Sequence, residues 1–198
     1  MTSGRLLGDP NIWAEALVSR LEVYEALKKS EFENSFDEMV NLFFEAFERD
    51  CKVLLFGNGG SAADAQHVAA EWVGRFLTER QPLPAVALTA DSSVLTAIGN
   101  DYGFDQIFER QVKALGMEGD IAFAISTTGC SENILSALRV AKGRGMLTAA
   151  LLGGDGGDAK GEADLCFLVP SFKVPLIQEA HRFILHLLCE EIDRRFEL

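Results

Sequence analysis

Cys51-Lys52-Val53-Leu54-Leu55-Phe56-Gly57-Asn58-Gly59-Gly60-Ser61 is a short apolar run broken by a glycine-rich turn. Ala62-Ala63-Asp64-Ala65-Gln66-His67-Val68-Ala69-Ala70-Glu71-Trp72 follows it as a helix. A continuous apolar run of this length, ended by glycine, suits a parallel strand buried on both faces. The pattern returns at 85–89, 121–126, 147–152 and 165–169, each run closed by Gly, Pro or a polar cluster. Helical sequence separates the runs, so right-handed βαβ units and a doubly wound, five-stranded parallel α/β sheet are expected.

Residues 1–50 read as helices instead. Apolar residues recur at helical spacing from Ile12 to about Leu27. A second helix is predicted after Ser35, where Glu38 three residues on completes a capping-box pattern. Phe36, Met39, Val40, Phe43, Phe44 and Phe47 share one face of it, which is expected to cover the domain or another subunit. A long final helix is expected over 173–196. No repeat or linker divides the chain, so one domain is expected over 1–198, with helices to residue 50 and an α/β core beyond.

The 198 residues are enough for a real core, and 48% of them are apolar, which excludes disorder. Eighteen basic residues against 30 acidic ones leave a net charge of −12 with no Lys/Arg run. Nucleic acid and anionic membranes are therefore poor partners. A phosphorylated ligand would have to be held by backbone amides and hydroxyls. Cys51, Cys130, Cys166 and Cys189 show no CxxC or disulfide-type spacing, as in reduced intracellular thiols. No signal-type N-terminus or membrane-length apolar stretch is evident, and a cytoplasmic protein is expected.

In doubly wound sheets, ligands bind beyond the carboxyl ends of the strands. Gly57-Asn58-Gly59-Gly60-Ser61 stands at one such end and opens a helix, where backbone N–H groups and the helix dipole favour an anion. It is neither a GxGxxG fingerprint nor a Walker loop, which weakens a nucleotide reading. Ser126-Thr127-Thr128-Gly129-Cys130-Ser131 stands at another, with a helix expected near Glu132. Singly, each could be an ordinary cap or turn; together at neighbouring strand ends they point to an anion site.

His67 and Glu71 are four apart and project from one helix face, as a solvated pair or as chemistry. In the final helix His186 lies in an apolar run and needs a partner. Gln178 shares its broad face, whereas His181 falls about 140° away and reads as structural. His67, Glu71, Gln178 and His186 would suit a metal site or an acid–base pair with polar orienters, and spacing does not choose.

The segment from Gly57 through His67 and Glu71 to Gly74-Arg75-Phe76 resembles the phosphoheptose isomerase family of the sugar isomerase (SIS) domain superfamily. So do Thr96-Ala97-Ile98-Gly99-Asn100-Asp101-Tyr102-Gly103-Phe104 and the Ile177-Gln178-Glu179 stretch with His186. The resemblance covers about residues 30 to 195. It implies a flavodoxin-like three-layer αβα sandwich and a homotetramer with active sites near subunit interfaces, the second and last helices burying apolar faces there.

It implies interconversion of sedoheptulose 7-phosphate and D-glycero-D-manno-heptose 7-phosphate, the first step towards nucleotide-activated heptoses of bacterial surface polysaccharides. By position, Ser61, Ser126, Thr127, Thr128 and Ser131 should hold the phosphate and nearby hydroxyls. Asn58, Gly59, Gly60, Asn100, Asp101 and Gln178 should line the sugar site, and Glu71 and His186 form the acid–base pair. Some members bind zinc through the equivalents of His67, Glu71, Gln178 and His186, so one zinc per subunit is expected. The family loop usually reads Ser-Thr-Ser-Gly-Asn-Ser, so Thr128 and Cys130 depart from it, as does Asp158 where a Lys is common. The rival expectations are a non-catalytic relative that binds the replication initiator or senses sugar phosphates, and an isomerase of another sugar phosphate.

Overall fold

The computed structural model describes residues 11–197; residues 1–10 and 198 of the expected domain lie outside them. Five strands, β1 (Val53–Gly57), β2 (Ala85–Ala87), β3 (Ile121–Ser126), β4 (Leu147–Gly153) and β5 (Leu165–Val169), form one sheet. Its order is β2-β1-β3-β4-β5, and every pairing is parallel. This is the flavodoxin-like order, with its reversal between β1 and β3.

Because successive side chains on a strand face opposite ways, each buried run feeds two cores. Val53, Leu55, Phe123 and Leu151 point into one, and Leu54, Phe56, Ala124 and Leu152 into the other. The first core is covered by α2 (Ser30–Glu48), α3 (Gly60–Val73) and α8 (Val174–Arg195). Across the sheet lie α4 (Ser92–Tyr102), α5 (Glu109–Leu115), α6 (Glu132–Gly143) and α7 (Ala159–Glu162). The parallel sheet expected from the apolar runs, and the three-layer sandwich that the resemblance implies, are therefore present. The run at 85–89 yields only the three-residue edge strand β2, on which Val86 is exposed.

The second helix departs from expectation. It starts at Ser30, and Ser35 is interior: its hydroxyl donates back to the Glu31 carbonyl at 3.0 Å, so no capping box forms. Phe32 packs on Phe167 of β5 (ring centroids 5.9 Å), a tertiary contact that holds the extra turn. Met39, Val40, Phe43 and Phe47 are buried against the chain's own sheet and Trp72. The uncovered apolar surface belongs instead to α1 (Ile12–Leu27). Ile12, Trp13, Leu17, Val18 and Leu21 are exposed there, while Arg20 and Tyr24 fasten the helix to Glu179 and Phe183 of α8.

Candidate active site

The two anion loops sit side by side because β1 and β3 pair directly, Gly57 opposite Ile125. A double amide bond clasps them. Asn58 Nδ2 donates to Asn133 Oδ1, and Asn133 Nδ2 returns to Asn58 Oδ1, both at 2.9 Å. Asn133 is buried on the first turn of α6, so the expected sugar ligand Asn58 is held from behind by a residue that the sequence reading missed.

In the second loop the Ser126 hydroxyl accepts from Gly129 N–H at 3.0 Å, and Thr128 Oγ1 from Cys130 N–H at 3.4 Å. Ser61 is buried at the start of α3, and Ser131 caps α6 without committing its hydroxyl. Gly129 (φ +66°) must be glycine: a Cβ there would stand 1.9 Å from the Gly156 carbonyl oxygen. Cys130 is exposed, its thiol donating to the Thr128 carbonyl at 3.2 Å, and nothing in the structure explains Asp158 at the start of α7.

Gly60 carries the connection to α8, since a Cβ on it would approach Gln178 Nε2 to 2.6 Å. From that contact α3 and α8 run down the same face of the sheet as a ladder of polar rungs. Below Gly60 and Gln178 come Asp64 and Arg182, an ion pair whose carboxylate is buried. Then come His67 and His186, with Nε2 atoms 2.8 Å apart. Glu71 closes the stripe, its Oε1 3.7 Å from His67 Nδ1. Residues 60, 64, 67 and 71 share one face of α3, and 178, 182 and 186 share one face of α8. Asp64 and Arg182 were legible by that spacing, though not singled out.

Burial pulls the His186 pKa down, and His67 and Arg182 lower it further against Glu71 and Asp64. At neutral pH the ring is therefore uncharged and can both give and take a proton. His181 stands apart, fully buried, as its place on the helix implied. Asn100 and Asp101 lie on the exposed end of α4, bonded to each other at 2.7 Å. No hydrogen bond or ion pair among the described residues joins them to the loops or the ladder.

His67, Glu71, Gln178 and His186 carry donor types that zinc accepts. Two nitrogens on one tetrahedral zinc would stand about 3.3 Å apart, whereas the two Nε2 atoms are in hydrogen-bond contact. Among the described residues no three His, Cys, Asp or Glu side chains are arranged to hold a metal ion. As placed, the two rings are hydrogen-bonded to each other and suit proton exchange, and zinc held by both would have to open that bond by about half an ångström.

The SIS domain family matches residues 17–153. The chain is 53% identical to the phosphoheptose isomerase of Pelobacter propionicus over 157 residues, 79% of this chain and 83% of that protein. A solved phosphoheptose isomerase from Francisella tularensis superposes with a TM-score of 0.83 at 39% identity, covering 98% of this chain and all of that one. The one from Neisseria gonorrhoeae gives 0.81 at 42%, covering 92% and 95%. With half its residues shared over most of its length, the chain belongs to the phosphoheptose isomerase family of SIS-domain proteins.

Proposed function

We propose that the chain is an aldose–ketose isomerase that interconverts sedoheptulose 7-phosphate and D-glycero-D-manno-heptose 7-phosphate. The observation that carries this reading is the continuous line Glu71, His67, His186 on the α3–α8 face, below two neutral anion loops. Ten residues of α3 separate Ser61 from Glu71, about 15 Å along the axis. Such a span suits a substrate with its phosphate at one end and its reacting carbons at the other.

Glu71 takes the C1 proton of the ketose, and the electron pair forms the C1–C2 double bond of an enediol. His186 gives a proton to the C2 oxygen and takes one from the C1 hydroxyl; Glu71 then returns its proton to C2, leaving the aldehyde at C1. His67, bonded to one nitrogen of His186, leaves the other for the sugar oxygens. Ser61, Thr127, Thr128 and Ser131, with the N-termini of α3 and α6, are the proposed phosphate donors. Zinc is proposed at the four side chains only as an occupant that would replace the His67–His186 hydrogen bond, and no step is routed through it.

The exposed apolar residues of α1, with Phe183 and Leu187 of α8, support assembly into a homotetramer. No helix among the described residues is long and apolar enough to cross a membrane, and a cytoplasmic site of action is proposed. Purified protein should convert sedoheptulose 7-phosphate, and Glu71→Gln should cut kcat by at least about a thousandfold while sugar-phosphate binding persists. Retained turnover in that variant would remove Glu71 from the reaction.

A further inference from the structure

The loop leaving α3 is tied to α8 by an ion pair that the proposed reaction does not use. The side chains of Arg80 and Asp193 are 0% and 1% exposed, and Arg80 Nε donates to Asp193 Oδ1 at 2.7 Å. A buried charge pair is tolerated when its remaining donors and acceptors are also satisfied, and here they are. Asp193 Oδ2 accepts from the N–H groups of Phe76, Leu77 and Thr78 at 3.1, 2.7 and 3.1 Å. Arg80 Nη1 donates to the carbonyls of Trp72, Gly74 and Gln81.

The connections to the acid–base residues are direct. Arg80 Nη2 donates to the backbone carbonyl of Glu71 at 2.8 Å, so the guanidinium caps the end of α3 at the base itself. Asp193 holds the loop that carries Phe76, whose ring centroid is 5.4 Å from that of His186. Asp193 also stands seven residues beyond His186, on the same stripe of α8. The staple is thus the lowest rung of the polar ladder.

We propose that Arg80 and Asp193 are positioning residues for the isomerisation: their staple sets the end of α3 and the Phe76 wall, and so fixes Glu71 and His186 relative to each other. The inference rests on the isomerase reading. The anion loops lie at the opposite end of α3. Loss of the staple should therefore strike the reacting end and spare phosphate capture.

Two variants test it, Arg80→Lys and the double variant Arg80→Met with Asp193→Leu. The double variant removes both charges together and leaves no unpaired ion in the core. Near-UV circular dichroism establishes folding. Steady-state turnover of sedoheptulose 7-phosphate gives kcat and KM, and histidine-ring 1H–15N spectra report the His67–His186 bond without any turnover. In a folded double variant kcat should fall at least about tenfold with KM within about threefold, as a misplaced acid–base pair demands. The ring signals of His67 and His186 should move, and Arg80→Lys should lie between wild type and the double variant.

Wild-type kcat or unmoved ring signals in a folded variant would overturn the proposal, as would a rise in KM with kcat kept. If the double variant does not fold, Arg80→Lys decides on the same two readouts. Absent wild-type turnover would sink the isomerase reading alone, and the ring spectra would still decide the staple.

Discussion

Replacing His181 by Leu should remove much of the protein's sensitivity to mild acid. His181 is 0% exposed on α8, and neither ring nitrogen has a well-formed hydrogen bond among the described residues. Burial lowers its pKa from 6.5 to about 4, the Leu152 backbone opposing the shift only in part. The folded-state value is depressed, so between pH 6.5 and 4 the unfolded chain binds the proton that the folded chain refuses. Stability therefore falls as pH falls through that window. With those two values, linkage gives a loss of about 2 kcal/mol by pH 5 and about 3 kcal/mol by pH 4. Carboxylates held low in the fold, such as Asp193 and Asp164, lose stability in the same direction. Comparing wild type with His181→Leu at one protein concentration cancels their contribution. Urea unfolding at pH 7 and pH 5 should show wild type losing about 2 kcal/mol more than the variant. Parallel losses would refute the reasoning, because they would mean that His181 is protonated, or partnered, in the folded protein.

Three further outcomes follow from the site. Asn133→Leu breaks the clasp on Asn58 and should raise KM for sedoheptulose 7-phosphate about tenfold with a smaller change in kcat, read from steady-state kinetics; an unchanged KM would free Asn58 from that support. Gly129→Ala puts a Cβ against the Gly156 carbonyl at a positive φ and should cost at least about 2 kcal/mol in urea unfolding; wild-type stability would mean the loop can shift. Chelator treatment should leave kcat within about twofold, because the hydrogen-bonded histidines act as free groups; a loss restored by one zinc per chain would assign the chemistry to the metal.

Much of this protein is local in origin and was legible as such. The apolar runs marked all five strands, since buried parallel strands have no polar face to interrupt them. The glycine and hydroxyl loops stand at neighbouring strand ends, as their places after the apolar runs implied, and the spacing of His67 with Glu71, and of Gln178 with His186, marked the helix faces that meet between α3 and α8. The resemblance added the reaction and the roles. Where the chain's own pattern was ambiguous, packing decided: Ser35 with Glu38 reads as a cap, yet Phe32 against Phe167 carries the helix back to Ser30.

What sequence alone determined, then, is the sheet, its loops and which side chains share a helix face, because periodicity and turn composition act over a few residues. Only the tertiary structure decided which of those groups meet. His67 reaches His186 across 119 residues, Asn58 reaches Asn133 across 75, and Arg80 reaches Asp193 across 113. Such pairings follow from the register of two helices on one sheet. Register is set by the summed fit of the whole core, which no short stretch of sequence encodes.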